Sequence, residues 1–180
     1  MVGEGCFLQS LFLIGTIRQA ITHVTRFIHR DDPKTLLTYI HGACVNNGQE
    51  DPQGGLACVF RPLAPCIQSS VSGHLEQRGP LTNIHWLSND RAELRAVIGA
   101  LHFRHWRGEG FMRLVLATNS EFVVKGRTEW ARSWCLRVWR TSSGRAPKER
   151  DMWEAYFWEV GTVGGAWFQG PAVESSPKFK

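Results

Sequence analysis

No stretch of this chain stays apolar for the roughly 18 residues that a helix needs to cross a bilayer, so a membrane-spanning role is not expected. No two of its five cysteines stand as C-x-x-C. Cys6, Cys44, Cys58, Cys66 and Cys135 are odd in number and widely spaced. That suits free thiols in a reducing compartment better than a disulfide framework or a zinc site. Cys44 and Cys58 lie in strand-like apolar runs and read as small buried hydrophobes. Histidine is absent after His105 and aspartate after Asp151. There is no internal repeat and no linker long enough to divide domains. The apolar segment from Cys6 to Ile17 has no Lys or Arg ahead of it, and Glu4 is acidic. A secretory leader is therefore not expected, and the location expected is intracellular, in the nucleus or cytoplasm. Arg18, Arg26 and Arg30 among helically spaced apolar residues leave a mitochondrial targeting segment as an alternative.

What is present fits one globular domain. The chain has 180 residues, 43% apolar and 21% charged, which excludes a disordered chain and gives enough length for a substantial core. A net charge of +5 favours a polyanionic partner such as nucleic acid. Eight tryptophans are many for this size.

Turn residues divide the chain into elements. The expected strands are Leu36–His41, Leu56–Phe60, Val71–Leu75, Arg113–Thr118 and the short Ala166–Gln169. The longest expected helix runs from Asp90 to Trp106, capped by Ser88 or Asn89, with Ala92, Leu94, Val97, Ile98, Leu101 and His102 on one face. Shorter helices are expected at Ser120–Lys125, Glu129–Trp139 and Lys148–Val160. Residues 1–30 read as an N-terminal extension or helix, 31–170 as the domain and 171–180 as a polar tail. Three successive strands followed by alternating helices and strands imply an α/β fold, a mixed sheet flanked by helices.

Three segments place polar residues where a metal-binding carboxylate could sit: Thr38–Cys44, Ser88–Leu94 and Ala117–Glu121. Only the middle one supplies the carboxylate, Glu93. These segments, with Tyr39-x-x-Gly42-Ala43-Cys44-x-Asn46-Asn47-Gly48, Gly54-Gly55, Ser72-Gly73-His74-Leu75-Glu76, Arg91-Ala92-Glu93-Leu94-Arg95-Ala96-Val97, Trp106-x-Gly108-Glu109-Gly110-Phe111 and Ala117-Thr118-x-Ser120-Glu121-Phe122, resemble ribonuclease H type 1 in the form found in filamentous fungi. The spaced Trp130, Trp134 and Trp139, and Lys148-x-Arg150-Asp151-x-Trp153-Glu154, continue the series across residues 26 to 160. The resemblance implies the RNase H-like fold, a five-stranded mixed sheet with its first three strands antiparallel. It also implies hydrolysis of the RNA strand of RNA/DNA hybrids with two Mg2+ ions held by four carboxylates.

By that resemblance, His41 stands at the first-strand carboxylate position, Glu93 at the helix position and Asn119 at the fourth-strand position. No aspartate follows Asp151, only Glu154, Glu159 and Glu174, so the last position has no Asp, and Asp90 adds a negative charge where the pattern has Asn. One carboxylate cannot offset the repulsion of two divalent cations. Impaired or lost Mg2+-dependent catalysis is therefore expected. Glu93, with His41 and Asn119, is left as a candidate site for one metal of Mn2+ type. The bland alternative is a hydrogen bond between His41 and Asn119. Nucleic-acid contacts are expected from Cys44, Asn46, Asn47, Asn89 and Arg91, and from a basic, tryptophan-rich protrusion bearing Trp130, Trp134, Arg137, Arg140 and Lys148. The partner expected is an RNA/DNA hybrid and the state a monomer. A working endoribonuclease with an altered metal, and a protein-interaction module on the same fold, are the alternatives.

Overall fold

The computed structural model describes residues 8, 10–17, 24–163 and 173–175. Its strands are β1 (Phe12–Ile17), β2 (Val24–His29), β3 (Thr35–Val45), β4 (Gln53–Val59), β5 (Ser70–His74), β6 (Arg113–Thr118) and β7 (Val173–Ser175). Helix α1 (Asn89–His102) lies between β5 and β6. After β6 come α2 (Glu121–Lys125), a π-helical turn (Gly126–Trp130), α3 (Ala131–Leu136) and α4 (Arg150–Val163).

All seven strands belong to one mixed sheet built around β3. β3 pairs antiparallel with β4 from Tyr39↔Val59 to Val45↔Gln53, and parallel with β6 from Thr35↔Arg113 to Tyr39↔Ala117. β5 adds antiparallel to β4, and β7 adds parallel to β6. The antiparallel trio β3–β4–β5 with parallel β6 and β7 is the expected five-stranded arrangement. Alternation along β3 sends neighbouring residues to opposite faces. Leu36 and Ile40 join Leu94, Val97 and Leu101 of α1, and Met152, Trp153 and Tyr156 of α4, in the main core. Leu37 packs on the other face with Ala117, Leu8 and Phe12. Each such aliphatic side chain, fully buried, contributes roughly 1.5–3 kcal/mol.

The N-terminal expectation is corrected. Where a helix or loose extension was expected, β1 and β2 form an antiparallel hairpin, and β2 pairs with β3 at Phe27↔Leu37 and Ile28↔Leu36. Among the described residues the sheet thus has seven strands rather than five. The spacing of Ile17, Ile21, Val24 and Ile28 fits a helix only if the run is continuous. Within Val24–His29 the period is two: Arg26 and Ile28 lie on one face, and Phe27 points the other way to Leu37 and Tyr39. Tertiary burial of Phe12 and Phe27 overrides the weak helical preference of the segment.

Other boundaries move less. β3 extends four residues past His41 because β4 continues to pair with it as far as Val45. α1 ends at His102, and the expected Glu129–Trp139 helix is split into the π-helical turn and α3. Gly126 opens that turn because a Cβ there would lie 2.1 Å from the Trp153 ring. Trp130, Trp134 and Trp153 then pack in sequence, with centroids 5.9 and 5.8 Å apart. The strand expected at Ala166–Gln169 lies outside the described residues. Within the expected polar tail, Val173–Ser175 forms β7. Among the described residues no helix is long and apolar enough to cross a membrane.

Candidate functional site

The C-terminal ends of β3 and β6 meet the first turn of α1 at an open cleft of about 600 Å³, lined by His41, Gly42, Asn89, Asp90, Glu93 and Asn119, among others. Each wall has a local cause. Ser88 caps α1, its hydroxyl accepting from the Arg91 amide at 3.1 Å, and this fixes where the first turn begins. Asn89 is placed so that its Oδ1 accepts the Cys44 amide at 2.6 Å, tying the helix start to β3. Gly42 permits the close approach, since a Cβ there would lie 2.2 Å from the Ala92 carbonyl carbon. Glu93 therefore meets the sheet at the level of His41 and Thr118.

The Glu93 side chain is 8% exposed, and its Oε1 lies 3.3 Å from His41 Nδ1. Its Oε2 accepts from the Thr118 hydroxyl at 3.3 Å. Burial pushes the Glu93 carboxyl above the ordinary carboxylate value, against the pull of His41, the Gly42 amide and Thr118, with Asp90 adding to the rise. His41 is 60% exposed and makes its contact from the rim. The expected His41–Asn119 hydrogen bond does not form. The carboxylate is the stronger partner for the imidazole, and Asn119 stays exposed at the end of β6. Among the described residues no group of three or more His, Cys, Asp or Glu side chains is arranged to hold a metal ion.

The expected nucleic-acid contacts separate into two sets. Cys44 is buried, its thiol raised by burial, and it offers its backbone to Asn89. Asn46 and Asn47 are exposed in the β3–β4 turn, where Asn46 takes a φ of 55°. Arg137 and Arg140 project from the protrusion, Arg140 donating to the Gly144 carbonyl at 2.8 Å. Lys148 Nζ donates to Asp90 Oδ2 at 2.7 Å and so links the protrusion to the lip of the cleft. That pair also offsets the charge Asp90 brings. Trp130 and Trp134 serve mainly as packing, tilted or edge-on against Phe122 and Trp153.

Arg91 is a correction. It is 1% exposed, and its fork grips Asp151 at 3.0 and 2.7 Å and Glu149 at 2.8 Å. A guanidinium spent on two carboxylates beneath the surface is not a phosphate contact. Burial alone would raise the Asp151 carboxyl, but the Arg91 fork holds it below the ordinary value. Sequence reasoning passed over this network, although the Glu149-Arg150-Asp151 run opposite a helix Arg was a readable signal. It also passed over Thr118, whose place beside Asn119 gave no hint of a bond to Glu93.

An antiparallel trio continued by two parallel strands, with an acidic residue of the first long helix aimed between two strand ends, defines an RNase H-like α/β domain. The family model for RNase H matches residues 33–171, and the chain belongs to that family. It is 40% identical over 122 residues to the Ribonuclease H of Treponema pallidum subsp. pallidum, a match covering 67% of this chain and 69% of the relative. Against the Ribonuclease H of Neorickettsia sennetsu it is 42% identical over 115 residues, 64% of this chain and 66% of the relative. The chain thus matches about two thirds of the length of each. Among solved structures, LC9-RNase H1, described as a type 1 RNase H with the type 2 active-site motif, superposes with a TM-score of 0.50 and 26% identity, over 78% of this chain and 60% of that chain. A foamy viral protease-reverse transcriptase in complex with an RNA/DNA hybrid reaches a TM-score of 0.51 at 16% identity, over 71% of this chain and 16% of that chain, a likeness of fold alone.

Proposed function

We propose that this chain is a divergent, fungal-type relative of ribonuclease H type 1 that binds RNA/DNA hybrids and cleaves them little or not at all with Mg2+. The observation that carries the reading is the donor set around Glu93. The two Glu93 oxygens face His41 and Thr118, with Asn119 across the cleft. One buried carboxyl so placed is a poor anchor for a pair of Mg2+ ions, which need several anionic oxygens to offset their mutual repulsion. An imidazole and a carboxamide at His41 and Asn119 do not make up the deficit, so the donor set does not fit that ion pair. Binding rests on different residues. Arg132, Arg137 and Arg145 are exposed without a carboxylate partner among the described residues, and Lys148 stands at the cleft mouth. Contacts of this kind read phosphates without regard to sequence and weaken with salt.

The test is a short RNA/DNA hybrid titrated over a range of NaCl concentrations, with cleavage followed in Mg2+ and in Mn2+. The expected result is salt-sensitive binding without cleavage in Mg2+. Rapid Mg2+-dependent loss of the RNA strand would defeat the reading. The double change His41→Asp with Asn119→Asp should raise Mg2+ affinity if the framework is otherwise sound. A second reading, cleavage through one Mn2+-type ion, is favoured by the His41–Glu93 juxtaposition, a mixed nitrogen and oxygen pair. It requires Mn2+-dependent cleavage that disappears in Glu93→Gln.

A further inference from the structure

At the far end of α1 from the cleft, about 21 Å along its 14 residues, three guanidinium groups converge on one aromatic ring. The Cζ atoms of Arg26, Arg61 and Arg104 lie 5.4, 5.5 and 5.4 Å from the centre of Phe60. The register explains the crowding. β4 pairs with β3 only from Tyr39 onward, and β2 takes over at Leu37, so Phe60 just after β4 and Arg26 of β2 both fall beside Thr38.

Among the described residues one carboxylate answers these three charges. Glu109 Oε2 accepts from Arg26 Nε at 2.9 Å, and its Oε1 accepts from Arg26 Nη2 at 2.8 Å and Arg104 Nη1 at 3.1 Å. Arg26 is 0% exposed, and its Nη1 donates to the Thr25 carbonyl at 2.9 Å, so it is a fixed floor. Arg61 spends only Nε, on the Gln68 carbonyl at 2.6 Å. The two Nη groups of Arg61, with Nε and Nη2 of Arg104, have no acceptor among the described residues. Arg61 is correspondingly less basic than usual, through burial and then through repulsion from Arg26 and Arg104. Two charges in excess, on forks that suit tetrahedral oxyanions, make a receptor for an anion.

We propose that Arg61 and Arg104, set against Phe60 above the Arg26–Glu109 pair, form a second anion site that takes a phosphate group, either free or in a nucleic-acid strand. It is independent of the cleft and of whether the cleft catalyses anything.

The experiment compares the full chain with Arg61→Gln, Arg104→Gln and the double variant, in sodium phosphate and in sodium chloride of equal ionic strength and pH. Thermal unfolding and the arginine Nε–H signals in NMR are the readouts. Phosphate should raise the melting temperature of the parent by about 2–4 °C over chloride and move the Arg61 and Arg104 signals. In the double variant that difference should vanish. In chloride, Arg61→Gln should melt no lower than the parent, because a repulsion is relieved. A short DNA strand added in chloride separates the sources: movement of the same two signals means that the site reads backbone phosphate, and movement only with the free ion restricts it to small phosphates. Unmoved signals in tens of millimolar phosphate would overturn the proposal. So would an Arg61→Gln variant that loses the same stability in both salts, which would leave the cluster as ring packing alone.

Discussion

Glu93 of α1 and Asp151, packed against α1 through Arg91, are buried to nearly the same depth, 8% and 9% exposed, yet their carboxyls shift in opposite directions. Asp151 meets a fixed guanidinium fork that supplies two hydrogen bonds and a full charge. Glu93 meets a hydroxyl and a rim imidazole, neither of which supplies a permanent charge. Burial depth alone therefore does not set the protonation state. The fixed partner does. One carboxylate is part of the architecture, and the other is a buried acid held without adequate compensation, the pattern that marks functional positions.

Removing the fixed partner should have the largest effect. Arg91→Met leaves the Asp151 and Glu149 carboxylates without the guanidinium that pairs both, at a cost on the order of 3–5 kcal/mol in urea denaturation. His41→Ala, the matching deletion beside Glu93, should cost less than about 1 kcal/mol, because the pair is exposed on one side. Equal losses would erase the contrast. Gly42→Ala comes next, at about 2–3 kcal/mol, since the new methyl collides with backbone rather than with a movable side chain. It should also displace Glu93 from His41, visible as moved His41 ring signals in NMR, whereas Arg91→Met should leave those signals in place.

Glu93→Gln should act in the opposite direction. The Glu93 pKa is raised in the folded state, so its contribution to stability is fully present below the unfolded value and is lost as pH rises through the folded value. At neutral pH the Gln variant, free of that loss, should be more stable by on the order of 1 kcal/mol, the usual gain when a strained functional group is replaced. The gain should shrink as pH falls through the raised folded value and be gone below the ordinary Glu value of 4.5. Asp151→Asn gives the mirror image. Its folded pKa is depressed, so its contribution is present above the ordinary value of 3.8 and is lost as pH falls through the lower folded value. The variant should be less stable at neutral pH and show a flatter acid limb. Paired pH–stability curves of the two variants test both signs together.

How much of this was legible in the sequence depended on how local the cause was. The α1 cap, narrowed to Ser88 or Asn89, and the whole of β6 could be read from residue type and a continuous apolar run, because capping and two-sided burial are written in adjacent residues. The positions of His41, Glu93 and Asn119 at one cleft followed from the family resemblance. Arg91 was misread because a basic residue on the first turn of a helix looks solvent-facing until Asp151, sixty residues on, is known to lie beneath it. The hairpin was missed for the same reason. Arg26 is a buried strand residue only because Glu109 waits 83 positions away. Period alone could not separate helix from strand in a segment so short.

The smallest expected effect concerns the link between the two regions. Lys148 joins Asp90 at the cleft lip from a chain segment that leads directly into Glu149 and Asp151, so it sits between the compensated acid and the uncompensated one. As an exposed pair it should be worth less than about 1 kcal/mol to stability. Lys148→Ala should therefore barely move the melting temperature, yet it frees the Asp90 carboxylate at the cleft lip, beside the basic residues proposed to bind the hybrid. If Lys148 also contacts the hybrid, the plot of log affinity against log salt should lose about one unit of slope. If it only neutralises Asp90, affinity should fall with the slope nearly unchanged, and Asp90→Asn should restore it in the double variant. A slope lost and not restored by Asp90→Asn makes Lys148 a phosphate contact; a restored affinity makes it the electrostatic shield of an acid that the cleft otherwise could not tolerate.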